Sequence, residues 1–205
     1  MKGLFISIEG TDGAGKSTQI ELLKKYFIEK GRDVIVTREP GGTPIGEKIR
    51  EIILDNNNSE MSHITEAMLY AASRAQHVNE KIKPALMQGK IIICDRFIDS
   101  SIAYQSAARG ISREVIVDIN KYAIDGIMPD ITLYFDITPE EGIKRKKNMH
   151  DLDRIEKEKE DFHKRVYEGY QLLVKMYPER IKRIDASKDI YDVHNQVLKY
   201  IDCML

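Results

Sequence analysis

The sequence predicts an α/β fold of three layers, a five-stranded parallel sheet flanked on both faces by helices. Two observations carry that prediction. Short runs rich in β-branched residues read as apolar stretches rather than alternating ones, as in strands covered on both faces. Between them lie longer stretches with apolar residues three and four apart, the spacing of helices that cross back over a sheet. The chain has 205 residues, enough for one domain with a substantial core.

The first strand, Leu4–Ile8, runs into Gly10-Thr11-Asp12-Gly13-Ala14-Gly15-Lys16-Ser17-Thr18, which contains G-x-x-x-x-G-K-[ST]. A helix, Lys16–Lys30, follows at once and stops at Gly31. In that setting the glycines let backbone N–H groups close around a polyphosphate, and the helix N-terminus adds positive potential. Lys16 would reach the β- and γ-phosphates and the Ser17 hydroxyl would ligate Mg²⁺. An incidental glycine-rich turn is the bland alternative, and it leaves the strand and helix context unexplained. A nucleoside triphosphate is the expected ligand.

A second strand, Asp33–Thr37, leads to Arg38-Glu39-Pro40-Gly41-Gly42-Thr43. Proline and two glycines make a turn on their own account, so a plain loop competes with a ligand-binding one. Arg50, on the next helix (Ile45–Leu54), is the more useful cation. The helix expected over Ser62–Gln88 carries Tyr70 and Arg74 four apart, hence on one face. That pair suits stacking on a base and bonding to its edge; the alternative, commoner on general grounds, is that Tyr70 is core and Arg74 a surface ion pair. The third strand, Ile91–Asp95, ends in an acid where a phosphate-loop enzyme holds Mg²⁺. Asp95 capping the next helix is the structural alternative. Arg96 beside it suits an acceptor phosphate.

Helices follow over Ser100–Ala108 and Arg113–Ile124, then a strand, Ile131–Asp136, and a helix, Pro139–Lys146. Residues 144–165 break the rhythm with dense charge. Four consecutive cations from Lys144 to Lys147 repel unless an anion joins them, which suggests a lid, about 144–155, over a triphosphate. The second half of that run reads equally as a solvated helix face. A helix over Arg154–Met176, a strand over Arg180–Asp185 and a helix over Ile190–Cys203 complete the chain.

Lys plus Arg number 32 against 33 for Asp plus Glu, a net charge of -1, so no global field draws nucleic acid or an acidic membrane. Cys94 and Cys203 are far apart, and free thiols are expected rather than a disulfide or metal site. A strand starts within a few residues of Met1 and no apolar run reaches membrane-spanning length, so a cytoplasmic location is expected. Asn120-Lys121 is followed by Tyr122-Ala123, not by the N-K-x-D pattern that reads guanine. No zinc spacing or nucleic-acid module is present in the sequence.

Taken end to end, these segments resemble the thymidylate kinase family. The resemblance rests on the phosphate loop with Asp12, Arg38-Glu39-Pro40-Gly41-Gly42-Thr43 and Tyr70-Ala71-Ala72-Ser73-Arg74. It continues through Asp95-Arg96-Phe97, Ser100-Ser101-Ile102-Ala103-Tyr104-Gln105, Pro129-Asp130-Ile131-Thr132-Leu133-Tyr134 and Asp153-Arg154-Ile155-Glu156. The resemblance implies a P-loop nucleoside-monophosphate kinase fold and transfer of phosphate from ATP to dTMP with Mg²⁺, on the way to dTTP. It implies that Asp12 accepts from the deoxyribose 3′-hydroxyl, Tyr70 stacks on thymine and Arg74 donates to O4. Arg50 and Arg96, supported by Arg38, would hold the monophosphate. Ser101 and Gln105 would meet the base edge, and Tyr104 would crowd the 2′ position. Asp95 and Ser17 would serve Mg²⁺, Arg145 and Arg154 would reach the ATP from the lid, and adenine would rest near Asp185-Ala186-Ser187. A homodimer through apolar faces of the third and neighbouring helices is also implied.

Three departures matter. Gly13 stands where eukaryotic-type relatives carry an arginine, Met149 where some bacterial-type relatives carry a lid arginine, and Tyr70 where Phe is common. Arg145 or Lys147 must then supply the transition-state cation. A kinase for another nucleoside or nucleoside monophosphate is the rival within the class, and a regulatory ATP-binding switch is the rival outside it.

Overall fold

The computed structural model describes residues 3–145 and 152–204. Five strands, β1 (Leu4–Glu9), β2 (Val34–Arg38), β3 (Ile91–Asp95), β4 (Ile131–Asp136) and β5 (Ile181–Asp185), form one parallel sheet in the order β2-β3-β1-β4-β5. The helices are α1 (Lys16–Glu29), α2 (Pro44–Leu54), α3 (His63–His77), α4 (Lys83–Met87), α5 (Ile98–Ser101), α6 (Arg113–Ile124), α7 (Pro139–Arg145), α8 (Glu160–Met176) and α9 (Ile190–Ile201).

Every residue of β1 and β4 is buried, which is why these strands read as largely apolar runs. Alternate side chains still face opposite layers. Ile6, Ile8, Ile91 and Leu133 pack with Leu23 and Phe27 of α1 and Val197 and Ile201 of α9. Phe5 and Ile92 meet Val78, Ile82 and Phe97, while Tyr134 meets Phe162, Val166 and Tyr170 of α8. Each fully buried Ile, Leu or Phe contributes about 1.5–3 kcal/mol. This core makes the sheet a rigid platform for whatever its carboxyl ends hold.

Register decides what those ends bring together. Ile8 of β1 pairs with Asp95 of β3, and Arg38 of β2 pairs with Asp95 on the other side. The acid that ends β3 therefore sits between the loop after β1 and the loop after β2. The neighbours of β1, β3 and β4, are reached in opposite directions along the sheet, and ligands bind in the crevice such a switch opens.

The helices depart from expectation in four places. The single helix expected over Ser62–Gln88 divides into α3, a π-helical turn (Val78–Ile82) and α4. Pro84 lacks the N–H that would bond the carbonyl of Glu80, and its ring crowds that carbonyl, so the preceding turn widens. The helix expected from Ser100 begins at Ile98 as α5 and continues as a π-helical turn, Ile102–Ala108. The helix expected from Arg154 starts at Glu160 instead. Ahead of it, Asp153 Oδ1 accepts from the N–H groups of Ile155 and Glu156, both at 2.9 Å, a local turn that competes with helix. The last helix ends at Ile201, followed by a 3₁₀ turn to Met204. Lys146 and the rest of the charged run to Asp151, with Lys147 and Met149, lie outside the described residues. Cys94 is a buried free thiol and Cys203 an exposed one. No helix among the described residues is long and apolar enough to cross a membrane.

Candidate active site

The loop between β1 and α1 lines a crevice of about 480 Å³, opened by the carboxyl ends of β1, β2 and β3. Gly10 and Gly13 have φ of 140° and 80°, which strongly disfavour other residues. At Gly13 a Cβ would lie 2.1 Å from the carbonyl oxygen of Gly142 in α7. Backbone of α7 thus excludes any side chain at this position, arginine included. Lys16 folds back so that Nζ donates to the carbonyls of Gly10 and Thr11, both at 3.1 Å. Burial, then the nearby Arg96 cation, lower the pKa of its ammonium. Ser17 and Thr18 stay exposed at the start of α1.

Three arginines join Lys16 here. Arg96 adopts φ 70°, and its N–H donates to the carbonyl of Ile8 at 2.9 Å. Its guanidinium lies 5.1 Å from the centre of the Tyr104 ring, and Nη2 donates to Asp12 Oδ1 at 2.9 Å. Arg50 lines the crevice, donates to the carbonyl of Pro40 at 3.1 Å and makes no ion pair among the described residues. Burial, with repulsion from Arg38 behind it, lowers its pKa. Arg38 also lines the crevice but is already held by both oxygens of Glu47, at 2.8 and 2.9 Å. That bond is the main reason the Glu47 carboxyl is held down at about 2. Arg50 and Arg96 are thus the guanidiniums most available to an incoming anion.

Asp95 Oδ1 is buried and has no hydrogen-bond partner among the described residues. An orphaned carboxylate oxygen costs about 1–3 kcal/mol or more, a cost that a cation offsets. Ser17 and Asp95 face the same crevice, and this hard-oxygen pair fits Mg²⁺ held mainly by phosphates and water.

Tyr70, Tyr104 and Gln105 form the wall away from the phosphate loop. Burial raises the pKa of both phenols. Gln105 donates to Glu66 Oε1 at 3.1 Å. The structure does not bring Arg74 and Ser101 into the crevice lining. Arg74 is 1 % exposed, bonded through Nε to Glu39 Oε2 at 2.8 Å and through Nη1 to Ser101 Oγ at 3.0 Å and to Asn120. Arg74 is thus neither in the crevice lining nor the surface ion pair of the alternative reading, but half of a buried pair with Glu39. Arg154, expected on the ATP side, instead donates to the carbonyl of Ile53 at 2.8 Å and to Glu66 Oε2 at 2.7 Å inside the wall. Arg145 donates to the carbonyls of Ala186 and Ser187, the turn expected to meet adenine.

Sequence reasoning missed the carboxylates that hold these cations. Glu39 was quoted only as part of a turn, although it bonds both Arg74 and His77. Glu66, fully buried, takes Arg109, Arg154 and Gln105 together. Glu9, one residue before the phosphate loop, is also fully buried.

A phosphate loop at a strand–helix junction, an acid with an orphaned oxygen beside it and guanidiniums across the crevice fit a phosphoryl-transferring kinase. The family model described as thymidylate kinase matches residues 8–197. The chain is 51 % identical over 201 residues to the thymidylate kinase of Thermoanaerobacter sp. (strain X514), covering 98 % of each chain. It is 52 % identical over 202 residues to that of Caldanaerobacter subterraneus subsp. tengcongensis, covering 98 % of this chain and 96 % of the relative. The crystal structure of thymidylate kinase from Ehrlichia chaffeensis superimposes with a TM-score of 0.80 at 36 % identity, covering 98 % of this chain and 99 % of that one. This chain belongs to the thymidylate kinase family and is a phosphotransferase acting on dTMP.

Proposed function

We propose that the crevice aligns ATP and dTMP tail to tail, so that the γ-phosphoryl group passes directly to the 5′-phosphate. The observation that carries this reading is the convergence of Lys16, Arg50 and Arg96 on one space beside the unpartnered oxygen of Asp95. Lys16 and the loop from Gly10 to Thr18 take the triphosphate. Arg50 and Arg96 take the acceptor phosphate, and Arg38 adds to the field. Ser17 and Asp95 are the residues that would hold Mg²⁺, which when bound would supply charge neutralisation for phosphoryl transfer. The acceptor oxygen is already largely ionised near neutral pH, so positioning and charge neutralisation suffice and no strong general base is required.

Tyr70 stacks on thymine, with Gln105 on the base edge and Tyr104 beneath the sugar. Asp12, now on Arg96, turns to the 3′-hydroxyl. Arg74 and Ser101 act from immediately behind this wall, and Arg145 closes the far end over adenine. Arg154 anchors the root of the lid on α3 rather than meeting phosphate. The enzyme acts in the cytoplasm as a homodimer, for which exposed Ile64 and Met68 of α3 and Val115 and Val117 of α6 supply apolar surface.

ADP release measured against dTMP, dUMP, dCMP, AMP and thymidine tests the proposal. Release that requires an acceptor and favours dTMP supports it. Preference for another acceptor would reassign the substrate, and acceptor-independent binding alone would make the chain a switch.

A further inference from the structure

Glu9 ends β1 directly beneath the crevice, is 0 % exposed, and belongs to none of the groups assigned above to phosphate, base or metal. Its carboxylate is the meeting point of four donors from three parts of the chain. Oε1 accepts from the backbone N–H of Phe97 at 2.7 Å and from Ser7 Oγ at 3.1 Å. Oε2 accepts from Ser100 Oγ at 2.6 Å and from Tyr170 Oη at 2.8 Å.

Two of those contacts reach Arg96. Arg96 Nη1 lies 3.4 Å from Ser100 Oγ and 3.3 Å from Tyr170 Oη, the same two hydroxyls that Oε2 holds. The third acts on the backbone. Arg96 occupies the left-handed region, which a residue with a Cβ adopts only when its surroundings hold it there. Its own N–H is fixed to Ile8, and the next N–H, that of Phe97, is fixed to Glu9. Main chain and guanidinium of Arg96 are therefore both anchored on one buried carboxylate.

Hydrogen-bond direction gives this arrangement a function. An ionised carboxylate only accepts, so it draws a proton from the Ser100 and Tyr170 hydroxyls, themselves 2.8 Å apart, and leaves lone pairs of that pair to face Arg96 Nη1, which only donates. An amide at position 9 breaks that order. With its oxygen on the Phe97 N–H, its NH₂ meets the two hydroxyls, and their protons must turn elsewhere, toward each other or toward the guanidinium. Burial, reinforced by nearby Asp99, pushes the Glu9 carboxyl up to about 7, so the ionised form prevails at about pH 8.

We infer that Glu9 is a positioning residue for the acceptor-phosphate clamp, setting the main-chain turn and the guanidinium orientation of Arg96 through Phe97, Ser100 and Tyr170. The inference rests on Arg96 as a ligand of the acceptor phosphate, and the test separates the two. Steady-state kinetics at about pH 8 on Glu9→Gln, Arg96→Gln and the double variant supply it. The expected result for Glu9→Gln is a KM for dTMP raised about tenfold, the loss of one oriented charge-assisted bond, with KM for ATP within about twofold of the parent. In the Arg96→Gln background, Glu9→Gln should add almost nothing, because the group it orients is gone.

If Arg96→Gln leaves KM for dTMP unchanged, the clamp assignment fails. If Arg96→Gln raises it while Glu9→Gln leaves it unchanged, or raises both KM values alike, or acts additively with Arg96→Gln, Glu9 is structural only and the inference fails. Tyr170→Phe is the second variant should Glu9→Gln not fold: it removes a single hydroxyl and should raise KM for dTMP about threefold without changing that for ATP. An unchanged value would also overturn the inference.

Discussion

Replacing Arg50 by alanine should separate binding from folding. Arg50 lines the crevice, donates to the carbonyl of Pro40 and makes no ion pair among the described residues, although Glu47 and Asp153 are near enough to favour its charge. Nearby Arg38 repels it and contributes to lowering its pKa. Removing it breaks no ion pair, and the repulsion from Arg38 that it relieves offsets the attractions of Glu47 and Asp153 that it gives up, so unfolding free energy should move by no more than about 0.5 kcal/mol. A charge-assisted hydrogen bond to the acceptor phosphate is worth about 1.5–3 kcal/mol, which converts to roughly 10- to 150-fold in dTMP affinity. Isothermal titration with dTMP and with ATP, together with urea denaturation, reads all three quantities. The expected pattern is weak dTMP binding, unchanged ATP binding and unchanged stability. Normal dTMP affinity, or a loss shared equally by ATP, would refute the assignment of Arg50 to the acceptor site.

Other substitutions probe other parts of the crevice. Lys16→Ala should lower kcat by several orders of magnitude with dTMP affinity largely kept; an unchanged rate would remove the loop as the ATP site. Arg154→Ala strips one partner from buried Glu66, which keeps Arg109, so it should cost about 1–3 kcal/mol of stability in urea denaturation and leave ATP affinity intact. Selective loss of ATP binding would instead return Arg154 to the phosphate side. The Glu9 carboxyl is raised in the folded state from 4.5 to about 7, so its favourable contribution is complete below about pH 4.5 and is lost as pH rises through 7. Stability of the native chain relative to Glu9→Gln should accordingly fall by about 3 kcal/mol across that window. A pH-independent difference would mean that Glu9 is not buried as a carboxyl.

The central strands β1, β3 and β4 were legible because a buried parallel strand leaves a largely apolar run, and Gly31, Gly89 and Pro178 mark ends of elements. The phosphate loop was legible because backbone needs fix its residue types. The start of α8 was not. Charges at helical spacing over 154–159 suggested helix, but Asp153 caps a local turn, Ile155 joins the Tyr104–Phe162 cluster and Arg154 is drawn to Glu66. Nor were the carboxylates beneath the crevice. Glu9 meets Phe97 and Tyr170 from 88 and 161 residues away, and Arg74 meets Glu39 across 35, separations that leave no local pattern. Position 13 is a further case: its glycine is required by the backbone of α7, more than a hundred residues on, and not by the loop alone.

A co-crystal structure with dTMP and a non-hydrolysable ATP analogue tests the arrangement most directly. The dTMP phosphate should lie within hydrogen-bonding distance of Arg50 and Arg96, facing a γ-phosphate held by Lys16, with thymine against Tyr70. Phosphates pointing away from each other, or a base bound elsewhere than on α3, would contradict it.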